Sequence, residues 1–411
     1  MDFLEVSILE VIKMHWVSSI SENPDLFQAF NECSQSLFES LEGKQPDLIV
    51  GFPSEHHSEH FSELSQLVDQ FFGNATFFGC SGAGVIGGGK EVEQVPSLAL
   101  CAAYLPDVTI SPFIFQEQDL PDGDSSPDDW YNLVQLDFAD DPIFVILSHP
   151  SAMFCEDLLR GLDFAFPESK KIGGIASGYL NDSQVSLFLD NELIQSGIIG
   201  ICMTGDIQID TIVAQGCRPI GSAMQVTECQ QNILYKLNDQ TPVEILRSLF
   251  PDLNEREKDL VQHSLFLGVL MDSFIEKPEH GDFLIRNILG IDSRQGAIGV
   301  GEFLHEGQIV QFHVRDGISS SDDLATALQK YVEFRHNPSG YGALLFSCLG
   351  RGQQLYQVPN HDTKMFYENV GVMPVTGFFG NGEIGPVGDN TYLHGYTSSF
   401  GIFRPSSKVD F

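Results

Sequence analysis

Positive charge is scarce in the first third of this chain. Before residue 150 the only lysines are Lys13, Lys44 and Lys90, and the first arginine is Arg160. Across all 411 residues, 57 acidic side chains face 21 basic ones, for a net charge of −36. Nucleic-acid partners are excluded on this balance, because their binding rests on cationic contacts to phosphate. Anionic membrane surfaces are disfavoured for the same reason. A site for an anionic small molecule must draw its cations from the later chain. Long apolar runs are also missing: none approaches the roughly 20 residues needed to span a bilayer. The N-terminus "MDFLEVSILEVIKMHW" has early acids and no basic leader, so a signal peptide is not expected.

Paired cysteines are absent as well. The eight cysteines, at 33, 80, 101, 155, 202, 217, 229 and 348, form no CxxC motif and lie mostly in apolar runs such as "SLALCAAYL". This excludes zinc sites of the paired-cysteine kind and suits reduced, buried thiols in a cytoplasmic protein that folds without metal or disulfides. No tandem repeat, heptad run or low-complexity tract is visible.

What is present is a long apolar sequence, 42% hydrophobic with 32 phenylalanines, enough for more than one core. Residues 25–41 and 61–71 carry helical spacing. "DLIVGF", "PSLALCAAYL", "DPIFVILSHP" and "GALLFSCLGRG" read as strands. From Lys171 to Gln215, strand-like runs follow one another with short connections, which calls for antiparallel pairing. The expected class is α+β: two domains of mixed, largely antiparallel sheets with flanking helices. The expected division is an N-terminal extension over 1–45, a first domain over 46–240 and a second over 241–411.

Several stretches invite chemistry. "GCSGAGVIGGGKE" is no phosphate loop, because Glu91 follows Lys90 where a hydroxyl residue is required. Cys80 and Ser81 lack a local base, so they read as packing or backbone-binding residues. "EHHSEH" sets His56 and His60 four apart, on one face if helical, but offers no third metal ligand. Arg286, Arg315 and Arg351 sit in or at the ends of apolar strands, where a guanidinium needs a partner. Bidentate carboxylate binding and internal pairing with Asp316, Asp292 or Glu383 are the two alternatives. "GFFGNGEIGPVGDN", 377–390, sets Glu383, its only charge besides Asp389, into a glycine-rich turn, exposed at the surface or presented to a ligand.

These stretches bear a resemblance. "GFFGNGEIGP", "LHGYTSS", "FSCLGRG" and "FHVRDG" resemble the C-terminal half of the FIST domain. "FFGCSGAGVIG" and "GCRPIG" with the following "VTECQQNILYKLNDQTPVEIL" resemble its N-terminal half and junction. The resemblance spans about Val50 to Phe403 and looks like a free-standing bacterial or cyanobacterial-type member without an F-box. It implies a sensory, signal-transducing module that binds a small ligand such as an amino acid and passes the signal to an unidentified protein. Relatives that recruit substrates to ubiquitin ligases imply an interaction scaffold instead. Others imply a haem-binding nitric oxide sensor, with His149, His313 or His394 as axial ligand. The matching positions are Cys80, Ser81, Gly82 and Gly84, then Arg315, Asp316, Cys348, Arg351, Gly377, Asn381, Gly382, Glu383, Gly385, His394 and Thr397. As ligand-binding residues they give Cys80, Ser81, Gly82, Arg315, Arg351, Asn381, Glu383 and His394, with no metal and no resident cofactor other than haem. Arg315 and Arg351 would hold a carboxylate, and Glu383 an ammonium or an arginine. An enzyme using Glu383 as general base or Cys348 as nucleophile is the less favoured expectation.

The charge balance yields a direct expectation. Titration of a mixed-sequence DNA duplex at physiological salt should show no micromolar binding, and measurable affinity there would refute the charge argument.

Overall fold

The computed structural model describes residues 13–136, 141–178, 185–335 and 340–406. The N-terminal stretch weighed as a leader begins outside these residues. The described chain folds as α+β, as the patterning predicts, but its plan is a threefold repeat that no sequence pattern shows.

The first unit runs β1 (His15–Ser21), α1 (Leu26–Ser40), β2 (Leu48–Pro53), α2 (Phe61–Phe72), β3 (Thr76–Cys80), a hairpin of β4 (Gly84–Gly87) and β5 (Lys90–Glu93), and β6 (Leu98–Tyr104). Residues expected as an N-terminal extension thus supply its first strand and helix. The second unit repeats the order. It has β7 (Val108–Phe115), α3 (Pro127–Val134), β8 (Ile143–Ser148), α4 (Cys155–Ala165), β9 (Lys171–Ile175), the hairpin β10 (Leu187–Leu189) and β11 (Glu192–Ile194), and β12 (Ile198–Gly205). The third opens with β13 (Gln208–Ala214) and is then interrupted.

The interruption is a closed six-stranded barrel, order β14-β15-β18-β17-β16-β19. Its elements are β14 (Arg218–Gln230), β15 (Ile233–Leu237), α5 (Pro242–Leu249), α6 (Glu255–His263), β16 (Leu265–Leu270), β17 (Phe283–Asp292), β18 (Ala297–Val300) and β19 (Ile309–Val314). The barrel takes strands from both sides of residue 240. The third unit then resumes with α7 (Gly317–Arg335), β20 (Gly342–Cys348), α8 (Gln353–Tyr356), α9 (His361–Asn369), β21 (Val375–Gly380), the hairpin β22 (Gly382–Val387) and β23 (Asn390–His394), and β24 (Ser398–Arg404).

Each unit gives four strands to its own sheet and sends its hairpin to a neighbour. The sheet orders are β1-β6-β2-β3-β10-β11, β7-β12-β8-β9-β22-β23 and β13-β24-β20-β21-β4-β5. The first unit's hairpin therefore completes the third sheet, the second's completes the first and the third's completes the second. In every sheet the central pair is parallel and the exchanged hairpin is antiparallel to it. Glycine lets the central pair of the third sheet lie close: a Cβ at Gly377 on β21 would lie 1.7 Å from the Leu345 carbonyl oxygen on β20.

Outer faces of the three sheets carry the helices. The apolar stripe of α1 and α2 (Leu26, Phe30, Leu37, Phe61, Leu64, Val68) covers the first sheet. The helices α3 and α4 cover the second, and α7 and α9 the third. Inner faces meet in one shared core, where Val50, Val145 and Leu344 represent the three units. Phe378 of the third unit lies 5.0 Å from the Phe52 ring of the first and 5.8 Å from Phe346 of its own. Trp16 stacks on Phe403 at 4.7 Å, joining the first strand to the last. No helix among the described residues is long and apolar enough to cross a membrane.

Interlocked hairpins make the units interdependent. A chain cut to residues 1–206 would lose β22–β23 from the second sheet and the β21 partner of β4, leaving sheet edges and apolar faces open. Calorimetry of that fragment should show no cooperative melting transition; a sharp one would contradict mutual dependence of the units.

Candidate functional site

The hairpin crossings bring two polar clusters into the interior. The first is the junction of the three glycine-rich turns. Ser81 N–H donates to Ser186 O at 2.9 Å, and Ser177 N–H to Ser81 O at 3.2 Å. Ser177 Oγ donates to Phe379 O at 2.5 Å and accepts from Ala83 N–H at 2.9 Å. Asn381 N–H donates to Ile175 O at 3.0 Å and its side chain to Ala176 O at 3.1 Å. Gly82 N–H donates to Pro53 O at 3.0 Å, and Cys80 is buried in the shared core. Four of the residues expected to touch ligand, Cys80, Ser81, Gly82 and Asn381, are thus placed at the seam where turns of the three units lock together. Their hydrogen bonds go to other backbone groups.

The second cluster lies where the barrel meets the third unit. Arg351, in the turn after β20, is fully buried, and its Nε and Nη2 donate to Asp362 Oδ2 and Oδ1 at 2.8 and 3.2 Å. Asp362 stands in the first turn of α9, where the helix N-terminus favours a carboxylate. It also accepts from Ser398 Oγ at 2.5 Å. Burial opposes its ionisation most strongly, but the charge of Arg351 and the hydrogen bonds from His361, Arg351 and Ser398 together hold the carboxyl well below the usual range. Gly216 borders this pair: with φ +72°, its Cβ would fall 2.8 Å from Arg351 Nη1. The Tyr356 ring lies under Arg351 at 5.5 Å and stacks on His361.

Arg315 follows β19 and has no such match. Its Nη2 donates to Gly350 O at 2.9 Å, its guanidinium lies 5.1 Å from the Tyr396 ring centre, and its Nε has no partner. Asp316, the partner expected from the sequence, pairs with Arg256 instead. Arg286 pairs with Glu302 and Glu156, not with Asp292.

Glu383 sits at the second position of the exchanged β22 and is fully buried, which rules out the surface-turn reading. Its Oε2 accepts from Thr397 N–H at 3.0 Å, and its Oε1 has no partner. Burial pushes its carboxyl up to about 8, against the opposing pull of Thr397 N–H, Arg351, Arg315 and the Cys348 thiol. Cys348 beside it is pushed up to about 12 by burial and then by Glu383, so its thiol stays protonated and is a poor nucleophile. Tyr396, φ +68°, covers the cluster; its hydroxyl bonds Asn287 Oδ1 and its ring meets Phe266 at 4.5 Å, both on barrel strands.

His394 lies opposite Glu383 on β23, but its Nε2 donates to Gly385 O at 3.0 Å and burial lowers it to about 4. His313 is likewise buried and lowered to about 4, with Nδ1 3.0 Å from Gln311 O. The His149 ring bonds Ser151 Oγ at 2.6 Å. None of the three lines the clefts beside α4 or α7. The "EHHSEH" stretch forms a 3-10 helix that buries Glu55 and His57, so His56 and His60 do not share the face an α-helix would give them.

Sequence reasoning missed Asp362, Tyr396 and Tyr356 as members of the second cluster. One signal was available for Asp362: a strand-end arginine needs an acid, and "NHDTKM" opens a helix.

Comparison with known proteins agrees with this architecture. The FIST N domain family matches residues 47–240 and the FIST C domain family matches residues 242–386. An uncharacterized protein of Mycobacterium tuberculosis is 32% identical over 384 residues, covering 93% of this chain and 98% of its own. One from Mycobacterium bovis is 29% identical over 384 residues, covering 93% and 97%. Human F-box only protein 22 is 28% identical over 142 residues, covering 30% of this chain and 34% of its own. On the two matched domains and the full-length mycobacterial likeness, this chain belongs to the FIST family.

Proposed function

We propose that this signal-transduction domain pair is a cytoplasmic sensor for a small carboxylate-bearing ligand, amino acids being the first class to test. One observation carries the reading: Arg315 is buried to 8% exposure, has no carboxylate partner among the described residues and leaves its Nε unmatched. Buried guanidinium is tolerated when paired, as Arg351 is with Asp362. Arg315 is the group a ligand carboxylate would complete, with Glu383 as its neighbour across Cys348. Arg351 serves as the fixed support rather than a second clamp.

Signal output follows from the cover. Tyr396 links the loop over the site to two barrel strands, so a ligand that displaces it would move barrel against sheet. The receiving partner is an unidentified protein. A second reading has its own observation: the cluster is closed under Tyr396, and a self-filled interior suits an interaction scaffold.

Native mass spectrometry of gently purified protein separates the two. A retained small acid is expected on the wild type and not on Arg315→Gln; bare protein in both cases, with no acid stabilising either, would favour the scaffold. Arg351 yields a stability expectation. Arg351→Ala strands Asp362 without its partner and should cost about 3–5 kcal/mol in denaturant unfolding. A loss under about 1 kcal/mol would show that the pair is not the support described.

A further inference from the structure

Three polar atoms in the cluster have no partner: Arg315 Nε, Glu383 Oε1 and Tyr356 Oη. Unmatched buried polar groups are costly, so their concentration at one place points to a missing ligand. Charge decides what kind. Arg351 is paired with Asp362, and Asp323 is engaged by His280 Nε2 at 2.6 Å and by Gly216 N–H at 2.8 Å. Asp316 is committed to Arg256. Burial raises the Glu383 carboxyl to about 8 and so favours its un-ionised form. Arg315 is left as an uncompensated positive charge. A zwitterion brings no net charge and a cation adds to the excess, whereas a monoanion cancels it.

Resting on the small-ligand reading above, we propose that the site takes a small organic monoanion: its carboxylate pairs with Arg315 and accepts a hydrogen bond from Glu383 acting as an un-ionised acid. Binding is then coupled to a proton. The charged and titratable groups facing Glu383 are Arg315 from the end of β19, Arg351 and Cys348 from β20 and its turn, and His394 from β23; the facing Gly174 on β9 has no side chain. His394 is neutral and Cys348 is a thiol, so the two arginines are the cations that act on it. Anion binding neutralises Arg315 and so strengthens the hold of Glu383 on its proton. Conversely, once Glu383 ionises at alkaline pH it repels the anion. Open space lies beside the cover, since a Cβ at Gly395 would meet nothing within 4 Å.

Thermal unfolding of the full chain supplies the test, with sodium acetate, glycine or methylammonium chloride, each against sodium chloride of equal ionic strength, at pH 6.5 and 9.0. Acetate should raise the melting temperature at pH 6.5, and its apparent affinity should be about tenfold weaker at pH 9.0. Glu383→Gln, which fixes a neutral donor, should still respond to acetate but without the pH dependence. Arg315→Gln should lose the response at both pH values. If that variant does not fold, Arg315→Lys, which keeps the charge but lacks the fork, should weaken acetate about tenfold. A stronger Arg315-dependent response to glycine or methylammonium would overturn the monoanion while leaving the small-ligand reading intact. Equal acetate affinity at both pH values in the wild type, or its loss in Glu383→Gln, would overturn the un-ionised role of Glu383. No response to any of the three would overturn both readings.

Discussion

Strand pairing between units is the constraint on which the rest of this protein depends. No unit closes its own sheet: each four-stranded set needs a hairpin delivered by a neighbour, and the deliveries run in a circle. Backbone groups at a sheet edge must be paired or solvated. Here they are paired by exchange, which forces the three hairpin-bearing turns to pass one another at a single place. The seam of Ser81, Ser177 and Asn381 is the result. Its glycines and small polar residues are there because backbone must approach backbone, and serine hydroxyls then satisfy amides that no strand reaches.

The same circle sets the position of Glu383. The residue lies on a strand that leaves the third unit for the second sheet, so its carboxyl is carried under the turn that holds Arg351 and beside the arginine at the barrel's end. Two guanidinium groups meet there with different environments. Arg351 has a bidentate acid, a helix N-terminus behind that acid and Tyr356 beneath. Arg315 has one carbonyl and an aromatic face. Burying a charge without its counter-ion is costly, and folds keep such groups where a partner arrives later. That contrast, more than any single distance, separates the paired arginine from the one we propose for the ligand.

Sequence patterning made the α+β class legible because apolar periodicity reports burial directly, and buried strands such as "DPIFVILSHP" lie where the pattern puts them. The repeat stayed hidden for physical reasons. Its hairpins pair with strands far away in the chain, and the barrel splits the third unit between β13 and α7. Local propensity contains neither fact. The arginines and Glu383 were legible because a charge in an apolar strand is conspicuous. Their partners were not: Asp362 sits in an unremarkable helix start, and Tyr396 in a turn whose cover role depends on contact with barrel strands more than 100 residues earlier. Motif likeness also grouped Asn381 and Ser81 with Glu383. In the structure Ser81 and Asn381 bond at the seam and Glu383 faces the second cluster, since one turn pattern serves both the seam and the entry to β22.

The account turns on the protonation state of a single side chain. Carbon-13 NMR of protein labelled at glutamate side-chain carboxyls, with Glu383→Gln as the assignment control, reads it directly. The account predicts a Glu383 resonance that keeps its un-ionised position at pH 7 and titrates near 8. A resonance that titrates in the ordinary glutamate range, near 4.5, would mean that Glu383 is the counter-ion of Arg315. The uncompensated charge from which the ligand was argued would then not exist.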